Sequence, residues 1–146
     1  MMKNIVTLWW LFFTIFLCKE AKFTQSARIQ DAQKLIDEGV QAQQLGDYDR
    51  AMKIYEEVLS SHPNSADAYH LTGLIFHVRG MHDEALSRIE KALQLSPQNT
   101  MMLTNYAVVL MEVGELGRAE QAFEKVLEGR PGDPAALHAL GLARDR

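Results

Sequence analysis

The stretch "DAYHLTGLIFHVRGMHDEALSRIEKALQLSP", residues 67–97, decides the fold of this chain. Tyr69, Thr72, Gly73 and Phe76 fall at i, i+3, i+4 and i+7, the spacing of one helical face. Ala85, Ile89, Ala92 and Leu93 make the same kind of face on a second helix. Between them stands Gly80, where a helix commonly ends in a left-handed residue. Pro97 follows the second helix and prevents its continuation. The stretch therefore predicts two helices folded back on each other.

The same unit recurs along the chain. Gly46, Gly80 and Gly114 are evenly spaced, and Ala51, Ala85 and Ala119 share that spacing, as do Pro63, Pro97 and Pro131. Small residues repeat at Gly39, Gly73, Ala107 and Gly141 with the same period. Such self-similarity, here with a period of about 34 residues, is the mark of a repeat architecture. The units run 32–65, 66–99 and 100–133, and residue 134 opens a fourth. Asn64, Asn99 and Asp133 precede the next helices and are expected to cap them. Gly39, Gly73 and Ala107 on first helices face Ala51, Ala85 and Ala119 on second helices, where the two must pass closely. Tyr55, Ile89 and Phe123 on second helices, with Phe76 and Leu110 on first helices, fill the remaining space.

This pattern resembles the tetratricopeptide repeat, a helix–turn–helix of about 34 residues. The matching positions are Tyr69, Gly73, Phe76, Ala85, Ala92 and Pro97 in the second unit. They are Leu103, Ala107, Leu110, Ala119, Phe123 and Pro131 in the third. In the first they are Leu35, Gly39, Ala42, Ala51, Tyr55, Val58 and Pro63, with Ala42 where an aromatic is usual. The resemblance implies an all-α fold: a right-handed superhelix of three antiparallel helix pairs, plus a C-terminal capping helix over residues 134–146. In that last stretch Leu137, Leu140 and Gly141 take signature packing positions, and Arg144 stands where an aromatic would grip a following helix. A lid over the third unit is the expectation, with a truncated fourth repeat as the alternative.

The first residues differ from all of this. Ile5 to Cys18 is "IVTLWWLFFTIFLC", without a charge and preceded by Lys3. Fourteen helical residues would span about 21 Å, short of a hydrocarbon core of about 30 Å. A positive start and a short apolar run read as a signal peptide over residues 1–26, or as an N-terminal membrane anchor if it is not cleaved. Either way the repeat domain, 27–146, is expected to be exported: periplasmic, secreted or held at a membrane by that segment. Removing residues 1–26, whose Lys3, Lys19, Lys22 and Glu20 sum to +2, would take the net charge from −4 to −6. No basic stripe exists, so nucleic acid is not an expected partner. Cys18 is the single cysteine, which rules out an intramolecular disulfide.

Stacked pairs curve, and in this family the first helices line the concave side. The residues expected there are Gln33, Ile36, Val40 and Gln43; Asp67, His70, Leu71, Leu74 and His77; and Met101, Thr104, Asn105, Val108 and Met111. The set is mostly apolar and suits an extended peptide or an amphipathic helix. Of these, Ile36, Val40, His70, Leu71, Leu74, His77, Met101, Asn105, Val108 and Met111 are the candidate partner-binding residues. Family members that clamp a peptide carboxylate use basic and Asn side chains. The matching positions here are Ile36, Val40, Leu71, Met101 and Asn105, of which only Asn105 fits. The asparagine ladder of a related glycosyltransferase is broken at Asp37, Leu71 and Ala139.

No enzyme is expected. His70 and His77 lie about 10 Å apart along their helix, too far to share a metal ion. Asp83, Glu84, Asp47 and Asp49 suit helix N-termini. Ser60, Ser61 and Ser96 imply no catalytic triad. No metal and no cofactor are expected. The expected function is a non-catalytic interaction scaffold for assembly of an envelope or secretion complex, akin to the small exported members of this family. The alternative is the recognition arm of a larger enzyme, such as a glycosyltransferase or sulfotransferase.

Overall fold

A computed structural model describes residues 28–145. The apolar segment read as a signal peptide or anchor lies outside the described residues. Within them are seven helices and no strand: α1 over residues 28–44, α2 (Tyr48–Ser61), α3 (Ala66–Val78), α4 (His82–Leu95), α5 (Thr100–Glu112), α6 (Leu116–Gly129) and α7 (Pro134–Arg144). None of them is long and apolar enough to cross a membrane. The starts of α3, α5 and α7 keep the period of the sequence, and so do those of α2, α4 and α6.

Two kinds of turn alternate, each with its own chemistry. First helices end in a left-handed glycine: φ is +79° at Gly46, +74° at Gly80 and +82° at Gly114. Gly80 N–H donates to the His77 carbonyl and Met81 N–H to the Phe76 carbonyl, both at 2.9 Å. That pairing satisfies the last carbonyls of the helix, and glycine reaches the required φ without a Cβ penalty. Second helices end before Pro63, Pro97 and Pro131. The residues ahead of them, His62, Ser96 and Arg130, have φ of −134°, −138° and −140°. Proline excludes its predecessor from the helical region, so the chain straightens there. Position 29 in the same register is Ile rather than Pro. Nothing breaks the helix there, and α1 is already helical at residue 28, ahead of the unit boundary at 32.

The caps follow the expectation with one correction. Asn99 accepts from the Met101 and Met102 amides, and Asp133 from those of Ala135 and Ala136. At α3 the cap is Ser65, which accepts from Ala68 N–H, and not Asn64. Ser65 stands one full period before Asn99, so the cap keeps the register of the repeat where Asn64 would not.

Within each pair the close approach is tight. A Cβ built on Gly39 would collide with the Tyr55 ring, and one on Gly73 would stand only 2.7 Å from Ile89 Cγ1. Tyr55, Ile89, Leu110, Phe123 and the alanines opposite them are buried. Phe76 is half-buried, with the Arg88 guanidinium 5.9 Å from its ring centroid. The core runs as a chain of clusters from Ala32, Ile36, Val58 and Ala68 at one end to Phe123, Ala136 and Leu140 at the other.

Arginines tie each unit to the one before it. Arg79 reaches Asp49 at 2.6 Å, and Arg118 reaches Glu90 at 2.6 Å. Arg118 also donates to the Tyr106 hydroxyl, which itself donates to Glu90 at 2.7 Å. Burial and the Glu90 bond push the Tyr106 phenol up to about 12. Arg144 folds back on α6 and meets Glu120 at 2.5 Å and Glu124 at 2.9 Å. These pairs are exposed, so each adds little stability.

At α7 the packing differs from expectation. Ala136, Leu140 and Ala143 are buried against α6, but Leu137 is 51% exposed and Gly141 has open space around it. Leu137 and Gly141 occupy the face that first helices turn toward their own second helix. Among the described residues no helix lies there.

Candidate protein-binding groove

The first helices α3 and α5 approach each other directly, and α2, α4 and α6 do not come as near to one another. A stack spaced more tightly on one side bends toward that side, which puts α3 and α5 on the inner side, and α1 and α7 stand at the same place in their own units. One register position on this layer is aliphatic in every unit: Val40, Leu74, Val108 and Leu142, each one period after the last. Val40 and Leu74 are half-buried, while Val108 is 38% and Leu142 41% exposed. The row runs the length of the array. Leu142 was not among the sequence candidates, although its spacing from Val108 was available to find it.

The other candidates divide by depth. Met101 is 56% exposed at the start of α5. Met111 is half-buried against the large core cluster, and Leu71 is half-buried between the two smaller ones. Ile36 is buried among Ala32, Val58 and Ala68, so it supports the inner layer from beneath. His70 is only 2% exposed. Its Nε2 accepts from the Asn105 amide at 2.9 Å, a bond between the second and third units. Sequence periodicity placed both on the groove face, but it does not register the neighbours that cover them.

The bond from Asn105 requires a neutral His70 imidazole, and burial holds its pKa below the ordinary value while Asp67 works weakly the other way. A pKa lowered on folding means that the unfolded chain binds the extra proton first. This contribution is therefore complete above the unfolded pKa of about 6.5 and fades as the pH falls below it. The urea midpoint is expected to drop between about pH 7.5 and pH 5.5. In His70→Gln, which keeps an acceptor but cannot titrate, that drop shrinks. An equal drop in both proteins would assign the effect to other groups.

His77, half-buried, does not meet His70. It lies beside His82 at the start of α4, with ring centroids 5.7 Å apart, and its Nδ1 is 3.6 Å from Glu112 Oε2 at the end of α5. Ser61 Oγ lies 3.0 Å from His62 Nδ1, a pairing the sequence reading did not anticipate. The two are adjacent in sequence, and Ser61, which is exposed, also donates to the carbonyls of Glu57 and Val58, as serines near helix ends commonly do.

Comparison with known proteins agrees with this architecture. Two family models, both described as tetratricopeptide repeat, match residues 36–100 and 79–143. The chain is built of tetratricopeptide repeats. It is 32% identical over 91 residues to the photosystem I assembly protein Ycf3 of Synechococcus sp. (strain CC9605), covering 60% of this chain and 53% of that protein. The protein of that name from Acaryochloris marina is 35% identical over 98 residues, covering 65% of this chain and 58% of its own length. The chain thus spans a little over half the length of these relatives. Among solved structures, the first such domain of Spaghetti (RPAP3), bound to the HSP90 peptide SRMEEVD, superposes with a TM-score of 0.75 at 21% identity. The match covers 80% of this chain and 92% of that one. The O-GlcNAc transferase of Thermobaculum terrenum gives a TM-score of 0.73 at 26% identity, covering 80% of this chain and 22% of that one.

Proposed function

We propose that this protein is a non-catalytic scaffold that holds an amphipathic helix of a partner protein along its inner layer. The observation that carries this reading is the row Val40, Leu74, Val108 and Leu142. Packed helices stand about 8–10 Å apart, so the row offers apolar contacts at about that interval. Seven residues of a helix rise about 10.5 Å, which returns a side chain to the same face at the matching distance. An extended strand repeats its face at about 6.6 or 13 Å and fits less well. Met101 and Met111 flank the row and adapt to irregular surfaces. Binding of a peptide carboxylate is not proposed, because the clamp positions carry Ile36, Val40, Leu71 and Met101, and Asn105 is engaged by His70.

A photoreactive residue at Leu74 is expected to crosslink a specific partner, and the double variant Met101→Glu, Met111→Glu should cut its recovery at least about tenfold. Self-crosslinks alone, or undiminished recovery from the double variant, would defeat the reading. The assembly role of the Ycf3 relatives supports the broader proposal that the partner belongs to a multi-component complex. The Ile5–Cys18 run supports export and an envelope or secretion setting. N-terminal sequencing of the mature chain tests this, since cleavage within about residues 18–27 is the result a signal peptide requires. A second reading, a recognition region within a larger enzyme, is favoured by the match to the transferase, of which this chain covers 22%. A reading frame that runs on past Arg146 into an α/β domain would select it.

A further inference from the structure

We propose that His77, His82 and Glu112 form a binding site for one divalent transition-metal cation of the zinc class. One ring nitrogen from each histidine and one carboxylate oxygen lie within 4.8 Å of one another. Both Nδ1 atoms are shut off from solvent and make no hydrogen bond. A buried imidazole nitrogen without a partner is costly, and two of them side by side call for an explanation. A proton satisfies only part of this. Protonated on Nδ1, His77 would face Glu112 across 3.6 Å, which is too long for a hydrogen bond. Charging His82 as well would set two cations against each other.

A cation held by both neutral rings gives the two nitrogens a partner without setting two charged rings against each other. Two neutral imidazoles and a carboxylate are a ligand set seen for zinc, with bonds of about 2.0–2.2 Å. The present spacing is wider than a closed site needs, and Glu112, whose side chain is about half exposed at the end of its helix, has room to adjust. Three protein ligands leave a fourth position for water or another donor. The ligands come from α3 and α4 of the second unit and α5 of the third, so the ion would bolt two units together on the groove side. Spacing along one helix relates His77 only to His70 and does not contain this cluster. The fold brings His82 beside His77 through the Gly80 turn, and Glu112 through the stacking of units.

The test uses the full-length chain in mild detergent, stripped of metal and titrated calorimetrically with zinc chloride. One Zn2+ per chain is expected, with His77→Ala and Glu112→Gln each weakening it at least about tenfold. His138→Ala, an exposed histidine elsewhere, should leave binding unchanged. Zinc should raise the thermal midpoint of the unmodified chain and leave those of the two site variants in place. Circular dichroism without metal establishes that the variants keep their helix content. X-ray absorption on the unmodified chain should show two imidazole nitrogens on the zinc, a result independent of any variant. Absence of saturable binding, binding that survives both site variants, or fewer than two imidazole ligands would overturn the proposal.

Discussion

Tyr55→Ala is expected to cost about 3–5 kcal/mol, a large share of the roughly 5–15 kcal/mol that holds a domain of this kind together. Tyr55 is among the largest fully buried side chains, and its ring fills the space that Gly39 leaves open on α1. Its neighbours Ala42 and Ala51 are too small to close the hole. The hydroxyl donates to Gln43 Oε1 at 3.1 Å, and burial raises the phenol pKa to about 12. Loss of the ring therefore removes apolar burial, leaves a cavity and breaks the bond to Gln43. Because each unit touches only its neighbours, the damage should concentrate in the α1–α2 pair, which among the described residues rests on the array from one side alone. Urea unfolding is expected to broaden or split, with the first unit melting early. A loss below about 1 kcal/mol would mean that the site collapses around the missing ring. The coupling to Gly39 supplies a sharper check. Gly39→Ala clashes with the ring in the unmodified chain, but in Tyr55→Ala the clash is gone and the added methyl group should be neutral or stabilising. Additive effects would contradict the geometry.

Much of this architecture is legible in the sequence for a physical reason. A repeat array applies one solution several times, so positions one period apart share an environment, and chance matches average out. The period set the starts of α3, α5 and α7 and the three left-handed glycines. Register does not report what a neighbouring unit lays on top of a residue. His70 occupies a groove position and is nonetheless covered, because Asn105 of the next unit reaches across to it. Leu137 occupies a packing position and is exposed, because no helix among the described residues faces it. The pairing of His77 with His82 and Glu112 joins three helices and two units, and no single-helix spacing contains it. What sequence periodicity resolves is the inside of a repeat; what it leaves open is the seam between repeats, where both the groove and the candidate cation site lie.

Two glycine substitutions of opposite sign test whether that division is right. Gly73→Val is expected to destabilise by about 3 kcal/mol. Its Cβ would lie 2.7 Å from Ile89 Cγ1 and 3.2 Å from the Ala85 carbonyl oxygen. The carbonyl belongs to the backbone of α4, and Ile89 is fully buried, so neither can yield without moving the helix. The gain from replacing a helical glycine, up to about 1 kcal/mol for the best helix former, is too small to offset the separation of α3 from α4. Position 141 is the same point of the repeat one array end away, yet nothing lies within 4 Å of its Cβ. There Gly141→Ala should keep the full propensity gain of about 0.8–1.0 kcal/mol and stabilise α7. Chemical denaturation of the two variants reads both signs in one experiment. If Gly141→Ala also destabilises, a helix covers that face of α7 in the folded protein, and the last repeat is closed by a partner helix rather than open. If Gly73→Val is tolerated, α3 and α4 do not pack in this register, and the aliphatic row assigned to the groove loses the frame that aligns it.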